Sequence, residues 1–595
     1  MRYSLCYILL LFCVFSFSQN ANLADAFFNE GDYHKALIEY QKVLQKQPYR
    51  TDLFLKKIKC YQELEDYKSA EKELAKQLES KHAPTVYLVE LGYNYTLQKD
   101  SVSANIAYSK AINAVSTNPN IARNIGQTFE KYNLLTEAEI TYNKAISLNN
   151  NLNFDFQLAN IYGQQNKIEK MFNSYLAVIE KNKAVTTTVQ NLISKFLNDN
   201  PKNTNNILLK RVLLKRLQNS PKSIWNELLS WLFVQQKEYN KAFIQEKAIF
   251  KCEGETLQRL FELGVLTQQQ KDLTTSQRIF EFINAQQLDV NTKISVVSFL
   301  LNVKQQSSNP NTYEEISDAY KKALDSFGIN RKTIGLQLAY TDFLAFKKHD
   351  ISSALQFLKT HESQSLSRFE TAKYQMKMAD IFVADSKFNQ ALINYSKIQR
   401  RIKNNTITQE ARFKIAKTSY YKGDFNWALQ QLKVLKTSTT QLIANDALDL
   451  HLLINDHINE DSLHVALKKY ATADLFAFQN KNTKAIATLS DILNFHPVNK
   501  IVDDALFLQG KLYEQEGEFE NAKRNYERII NTLKESVFVD NALYQLANLH
   551  LNTFNNPKKA AEYFEAIVFN HADSIHFIEA QKAYRKLLQK PTNNS

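Results

Sequence analysis

Small and apolar residues between Val502 and Leu533 recur at helical spacing on two successive faces. The first face carries Leu506, Gly510 and Tyr513, and the second carries Ala522, Tyr526 and Ile529. Gly517 lies between the two faces, where a glycine permits the chain to reverse. The pattern therefore predicts a helical hairpin.

The same kind of pattern recurs near the start of the chain at a constant step of 34 residues. Four sets of positions keep this step: Ala36, Ala70, Ala104 and Ala138; Phe27, Tyr61, Tyr95 and Phe129; Tyr40, Leu74, Tyr108 and Tyr142; Ala24, Ile58, Gly92 and Gly126. One hairpin cannot bury its apolar face alone, so a constant period predicts a tandem array in which neighbouring hairpins pack on each other.

This order of small and aromatic positions resembles the tetratricopeptide repeat (TPR), a helix-turn-helix unit of about 34 residues. The resemblance implies an all-α fold, a TPR-type α-solenoid in which antiparallel helix pairs form a right-handed superhelix. It also implies a concave groove that binds peptides or segments of other proteins.

The strength of the pattern divides the chain into four segments. We predict a signal peptide at 1–18, an N-terminal TPR array at 19–180, divergent helical repeats at 181–330, and a C-terminal TPR array with a capping helix at 331–592. The middle segment is interpreted as drifted repeats, and a separate inserted domain is the alternative. The low content of 11 Gly and 9 Pro favours helices over a many-turned β fold.

The first 18 residues have the features of a secretory signal. Arg2 precedes an apolar run from Leu5 to Phe17, and serines follow. A retained membrane anchor is the alternative, but the run is shorter than the roughly 20 residues that a spanning helix needs. Because the C-terminal repeats resemble periplasmic TPR proteins of outer-membrane assembly, we expect an exported protein in the periplasm or at the periplasmic face of the outer membrane.

Charge and cysteine content add two expectations. Basic residues cluster at Lys210, Arg211, Lys215, Arg216 and Lys222, and again at Arg400, Arg401 and Lys403. Such clusters are typical of solvated surface, with peripheral contact to an anionic membrane or polysaccharide as the alternative. Cys60 and Cys252 are expected to pack as small apolar residues without forming a disulfide.

The sequence contains none of the usual catalytic, phosphate-binding or metal-binding motifs, so we expect no enzyme activity, no metal and no cofactor. Nucleic-acid binding is not expected either, because the aromatic residues occupy packing positions of the repeats. The remaining hypothesis is a protein-interaction scaffold of the cell envelope. The alternative is a cell-wall-active enzyme, or a helical accessory subunit of a peptidoglycan-processing complex.

The resemblance implies that the first helix of each hairpin lines the groove, with an inward-pointing residue directly after its small position. These predicted groove residues are Asp25, Lys59, Tyr93 and Gln127 in the N-terminal array and Asp380, Lys417, Asp474 and Lys511 in the C-terminal array. Their polar and charged character suits a polar peptide of a protein partner. Ordinary solvated helix surface is the alternative interpretation.

Overall fold

The computed structural model describes residues 21–80, 82–254, 257–361, 366–403, 405–435, 441–460, 462–495 and 500–588. Within these ranges the regular elements are helices, and no β-strand occurs. The predicted all-α, TPR-type α-solenoid fold is therefore confirmed. The predicted signal peptide at 1–18 lies outside the described residues.

The chain divides into two compact units, residues 1–255 (unit 1) and 256–595 (unit 2). The division falls inside the segment 181–330, which the sequence sets apart. The helices of unit 1 are α1 (21–29), α2 (Tyr33–Lys46), α3 (Thr51–Glu63), α4 (Tyr67–Leu78), α5 (Val86–Leu97), α6 (Ser101–Ala114), α7 (Ala122–Lys131), α8 (Leu135–Leu148), α9 (Asp155–Gln164), α10 (Ile168–Lys181), α11 (Thr186–Ser194), α12 (Thr204–Asn219), α13 (Ser223–Gln235) and α14 (Tyr239–Glu253).

Unit 2 continues with the same kind of element. Its helices are α15 (Gln258–Gln269), α16 (Leu273–Asn284), α17 (Val290–Gln306), α18 (Tyr313–Phe327), α19 (Ile334–Asp342), α20 (Ile351–His361), α21 (Arg368–Ala384), α22 (Phe388–Arg401), α23 (Thr406–Lys422), α24 (Phe425–Leu435), α25 (Gln441–His457), α26 (Val465–Phe478), α27 (Asn482–Phe495), α28 (Val502–Gln515), α29 (Phe519–Thr532), α30 (Val539–Asn552), α31 (Pro557–Asn570) and α32 (Phe577–Leu588). Helix α19 continues into a π-helical turn, Phe343–Lys347.

Short 3₁₀ turns lead into several of these helices. They span Pro119–Ile121, Lys183–Val185, Pro310–Thr312 and Arg331–Thr333. No helix in the described ranges combines the length and the apolar character that crossing a lipid bilayer requires.

The predicted hairpins pack through the residues that keep the 34-residue step. Ala36, Ala70, Ala104 and Ala138 are all buried on the second helices of their pairs, α2, α4, α6 and α8. On the facing helix, a Cβ atom added to Gly92 would lie 2.3 Å from the Tyr108 ring, and one added to Gly126 would lie 2.3 Å from the Tyr142 ring. The small positions therefore exist because a bulky aromatic ring occupies the space beside them.

The hairpin predicted first, α28 and α29, has the same construction. A Cβ atom on Gly510 would lie 2.6 Å from the Tyr526 ring, whose hydroxyl donates a 2.5 Å hydrogen bond to Glu514. Gly517 forms the turn between the two helices with a φ of 79°. Gly510 thus marks a close approach of the two helices, and the predicted role of Gly517 in chain reversal is confirmed.

The reversal between paired helices needs a left-handed residue, but that residue is often not glycine. Gly31, Glu65, Lys99 and Asn133 occupy the equivalent turn position in four successive hairpins, with φ between 57° and 83°. The three side-chain-bearing residues adopt a conformation that L-amino acids disfavour. Packing of the flanking helices thus overrides the local preference of the turn.

The alternation of paired helices is interrupted at α25. This helix packs on α24, whereas the next helix, α26, pairs with α27 and also contacts α23. Its last residue, His457, is buried, with Nε2 3.0 Å from Asp504 of α28 and Nδ1 3.3 Å from Glu460. Burial opposes the charged ring, but these two carboxylates outweigh it and raise the pKa of His457.

The two cysteines differ in environment. Cys60 is buried on α3, and burial raises the pKa of its thiol to about 12, as expected for a residue that packs as a small apolar group. Cys252 is exposed near the end of α14, so the prediction that it packs in the interior is wrong. Cys252 lies in the last turn of α14, beyond the buried residues Ala242 and Ile249.

Candidate functional site

Two adjacent cavities of about 470 Å³ and 300 Å³ lie along the first helices of the hairpins in unit 2. Both are lined by Asp380 and Lys414, which join them into one surface that we call the unit-2 groove. Three of the four groove residues predicted for the C-terminal array, Asp380, Lys417 and Asp474, line it. The structure thus brings these three together.

The two cavities have mixed linings. Besides the shared pair, the larger is lined by Leu338, Phe369, Lys373, Met376, Lys377, Asn405, Thr406, Ile407 and Glu410. The smaller is lined by Val383, Tyr395, Phe413, Lys417, Thr418, Tyr421, Asp474 and Phe478. Apolar patches beside fixed charges are what a site for an amphipathic peptide segment requires.

Asp380 is the most firmly held of the predicted residues. Its carboxylate accepts a 2.5 Å hydrogen bond from the Tyr395 hydroxyl and two, of 2.8 and 2.9 Å, from Lys414 Nζ. Burial together with the adjacent carboxylate raises the pKa of Tyr395, and the carboxylate raises the pKa of Lys414 although burial opposes that charge. Asp380 therefore links α21, α22 and α23, and its charge is already matched within the chain.

The other predicted charges of the groove are also paired. Lys417 Nζ lies 3.4 Å from Asp474 Oδ2, and Lys377 Nζ lies 2.6 Å from Asp342 Oδ1. Burial raises the pKa of Asp342, although Lys377 acts in the opposite direction. The groove is a ladder of opposite charges across successive helices, and a ligand would have to complement or exchange these pairs.

Residues far apart in the sequence contact one another beside the smaller cavity, next to its lining residues Val383 and Phe478. Gln479 Nε2 donates to the carbonyl oxygen of Ala384 at 2.9 Å, and Asn480 Nδ2 donates to that of Phe346 at 3.1 Å. The rings of Phe346 and Phe478 pack edge to face with centroids 5.4 Å apart. The C-terminal ends of α19, α21 and α26 therefore converge beside the smaller cavity.

The fourth predicted residue, Lys511, lies apart from the two cavities. Lys511 is exposed as a residue, and its Nζ lies 4.4 Å from the centroid of the Phe507 ring on the same helix. This cation–π contact covers part of the ring, so Lys511 acts locally in α28.

In unit 1, Asp25 has partners of the same types as Asp380, a tyrosine at the same spacing of 15 residues and a lysine of the next hairpin. It accepts a 2.5 Å hydrogen bond from Tyr40, 15 residues later, and a 2.7 Å bond from Lys56 of the next hairpin. Burial opposes the charge, but these bonds outweigh it and lower the pKa of Asp25. The same combination of Asp, Tyr and Lys therefore recurs and forms hydrogen bonds between neighbouring hairpins.

The other predicted residues of unit 1 form a partly aromatic surface. Lys59 pairs with Glu63 at 2.7 Å and lies 5.8 Å from the centroid of the Tyr93 ring. Tyr93 stacks on Tyr132 with centroids 3.7 Å apart. Gln127 is exposed and lines none of the cavities described above.

The partners of the predicted residues were missed by the sequence reasoning, although a signal for them exists. Lys56, Lys377 and Lys414 each stand three residues before a predicted groove position, which places them on the same helical face. Each pairs with an aspartate of the preceding hairpin. Reading two positions per helix would have placed these three lysines on the groove face, although the sequence does not show which charges pair.

Side chains that could act on a cofactor or metal are sparse. Among the described residues, no group of three or more His, Cys, Asp or Glu side chains is arranged to hold a metal ion. The charged side chains of the groove fasten one helix to another.

Comparison with known proteins identifies the repeat. Residues 504–536 match the tetratricopeptide repeat family, which covers the hairpin of α28 and α29. No curated protein matches the sequence.

Solved structures with detectable similarity share little sequence with this chain. The Cut9-Hcn1 hetero-tetramer of the APC/C is 13% identical over 95% of each chain, with a TM-score of 0.22. The Naa15/Naa10 complex bound to HypK-THB is 12% identical over 97% of this chain and 94% of the other, with a TM-score of 0.27. A tetratricopeptide repeat protein from Parabacteroides merdae is 12% identical over 46% of this chain and 91% of its own, with a TM-score of 0.25.

Proposed function

We propose that this chain is a non-catalytic scaffold that binds a segment of a protein partner in the unit-2 groove. The observation that carries the proposal is the groove itself, in which two cavities combine apolar walls with a ladder of paired charges. Stacked hairpins hold such a surface in place before binding, so little ordering entropy opposes association. A short amphipathic or polar segment suits the mixed lining of the two cavities.

We further propose that the scaffold works in the bacterial cell envelope after export. The proposal is supported by the basic start and apolar run of residues 1–18 and by the resemblance of the C-terminal repeats to periplasmic TPR proteins. An envelope role also accommodates peripheral contact of basic surface with anionic lipid or polysaccharide.

Site-specific photo-crosslinking tests where a partner binds. A p-benzoylphenylalanine is placed at Lys373, an exposed residue of the groove, and the matched control is placed at Ile393, an exposed residue on the outer helix α22. We expect a reproducible partner from position 373 that is absent from position 393. The same products from both positions would contradict a groove-specific interaction.

A charge exchange then tests whether the groove charges recognise that partner. The double variant Lys417→Asp with Asp474→Lys keeps an ion pair between α23 and α26 but reverses its direction. We expect the free energy of unfolding to be nearly unchanged. The affinity for the partner should fall about tenfold, which corresponds to a loss of roughly 1.4 kcal/mol of binding free energy. Unchanged affinity would show that recognition lies elsewhere.

Export and the lack of catalysis are tested separately. Cell fractionation with mass spectrometry of the N-terminus should find the chain in the envelope, cut near Ser18. Cytoplasmic protein that retains Met1 would refute the export proposal. The purified chain should not release fragments from peptidoglycan, and turnover there would favour the enzyme alternative.

A further inference from the structure

A separate cavity of about 620 Å³ lies in unit 1 between α10 and α12, beside the start of α13. We call it the α10–α12 pocket. It contains much of the first basic cluster of the sequence, because Arg211, Lys215 and Arg216 of α12 line it. It does not belong to the unit-2 groove, and the proposed scaffold function makes no use of it.

The centre of the pocket is a guanidinium fixed over an indole. The Cζ atom of Arg216 lies 5.2 Å from the centroid of the Trp225 ring. Its Nη1 donates to Glu180 at 2.8 Å and its Nη2 donates to the carbonyl oxygen of Asn173 at 2.8 Å. These contacts hold the Arg216 head group in one orientation.

Two hydrogen-bond donors at this point have no acceptor. Nε of Arg216 and Nε1 of Trp225 are both buried and unpaired within the described part of the chain. The Trp225 side chain is fully buried and both residues line the cavity. An arginine Nε and an indole nitrogen can only donate, so the missing partner must carry an acceptor atom.

The surrounding charge favours a negative partner. Glu180 is shared by Arg216 and Lys222, and these cations lower its pKa. Glu169 pairs with Arg211 at 3.0 Å. Lys215 is exposed at the same cavity and forms no ion pair within the described residues, so positive charge is in excess there.

We propose that the α10–α12 pocket binds an oxyanion, the carboxylate or phosphate group of a ligand, through Arg216 Nε and Trp225 Nε1. Lys215 supplies a further charge at the cavity. This assigns a ligand chemistry to the basic cluster that differs from diffuse attraction to a membrane or polysaccharide, because it requires two defined donors.

Indole N–H resonances of the full chain provide the test, since it contains three tryptophans and Trp225→Phe identifies the relevant signal. Inorganic phosphate and glutarate are titrated separately at constant ionic strength. We expect a saturable shift of the Trp225 signal with at least one of them, while the other two indole signals stay in place. The ligand that produces it distinguishes a phosphate site from a carboxylate site.

Arg216→Lys keeps the positive charge but removes Nε. It should raise the apparent dissociation constant of the anion that shifts the Trp225 signal at least tenfold. The matched control is Arg123→Lys, because Arg123 also lies over an aromatic ring, 5.4 Å from the centroid of Phe154, but does not line this pocket. Lys215→Gln, at an exposed position, gives a second variant that should weaken binding without affecting folding. The absence of a saturable shift with both anions, or equal shifts of all three indoles, would overturn the proposal.

Discussion

The substitution Gly510→Ala tests the close packing of the hairpins. In an ordinary helix this change stabilises by about 1 kcal/mol, because alanine has the higher helix propensity. Here the new Cβ atom would lie 2.6 Å from the Tyr526 ring, a separation that real Cβ contacts do not show. The sign of the effect should therefore be reversed.

The magnitude follows from how little the ring can move. Tyr526 is fully buried and its hydroxyl is held by Glu514, so relief requires displacement of the two helices. Overpacking of a well-packed core costs about 1–3 kcal/mol, and a fixed ring belongs at the upper end of that range. Subtracting the propensity gain leaves a net destabilisation of about 2 kcal/mol.

Hydrogen exchange monitored by mass spectrometry is the appropriate assay, because stacked repeats open locally. A loss of about 2 kcal/mol should accelerate exchange of α28 and α29 roughly thirtyfold. The control is Gly335→Ala in α19, where nothing lies within 4 Å of the added Cβ and slower local exchange is expected. In a Tyr526→Leu background the penalty of Gly510→Ala should disappear. Slower exchange in both alanine variants would refute the packing argument.

Three further predictions follow from the turns, the buried histidines and the ion-pair ladder. Lys99→Gly should stabilise the protein by about 0.5–1 kcal/mol, because position 99 has a positive φ. Lys110→Gly, inside α6, should destabilise the protein by about 1 kcal/mol, because glycine has a low helix propensity. Urea denaturation measures both changes. His457 has a raised pKa, so the stability it contributes is complete below pH ~6.5 and is lost as the pH rises through its folded pKa. Burial lowers the pKa of His550, so the stability it contributes is complete above pH ~6.5 and is lost as the pH falls. Local hydrogen exchange measured against pH, with each histidine replaced by Gln in turn, should show slopes of opposite sign. Lys414→Met leaves a buried carboxylate without its counter-charge and should cost about 3 kcal/mol, read from exchange in α21 and α23.

Each of these has an outcome that would contradict it. Equal destabilisation by both glycine variants would mean that the turn conformation carries no cost. If the Gln variants at His457 and His550 changed the pH dependence of local exchange in the same direction, the two histidines would not have pKa values shifted in opposite directions. A neutral effect of Lys414→Met would mean that the carboxylate it faces is well solvated.

The helical repeat could be predicted from the sequence because its determinants are local and periodic. A small residue and an aromatic residue 16 positions later, such as Gly92 and Tyr108, must face each other in any helical hairpin of this length. Periodicity of 34 residues then repeats the same contact. The exposed Cys252 departs from expectation, because the sequence pattern near residue 250 is too weak to assign its face.

The groove could be predicted only in part. Asp380, Lys417 and Asp474 share one cavity, and each directly follows the small position of its helix. Their pairing was not foreseen, since it depends on how neighbouring helices are offset along their axes. A row of charges reads the same in the sequence whether its members face solvent or one another.

The sequence by itself determined the all-α fold, the hairpin period and the positions of close helix contact, because residues a few turns apart on the same chain decide them. Only the tertiary structure decided which charges neutralise each other and which helix ends converge beside the unit-2 groove. It also left two donors of the α10–α12 pocket, those of Arg216 and Trp225, without acceptors in the part of the chain that the structure describes. These features join residues from separate helices; Asn480 and Phe346, for example, are 134 positions apart in the sequence. They depend on the cumulative rotation of each hairpin relative to the one before it.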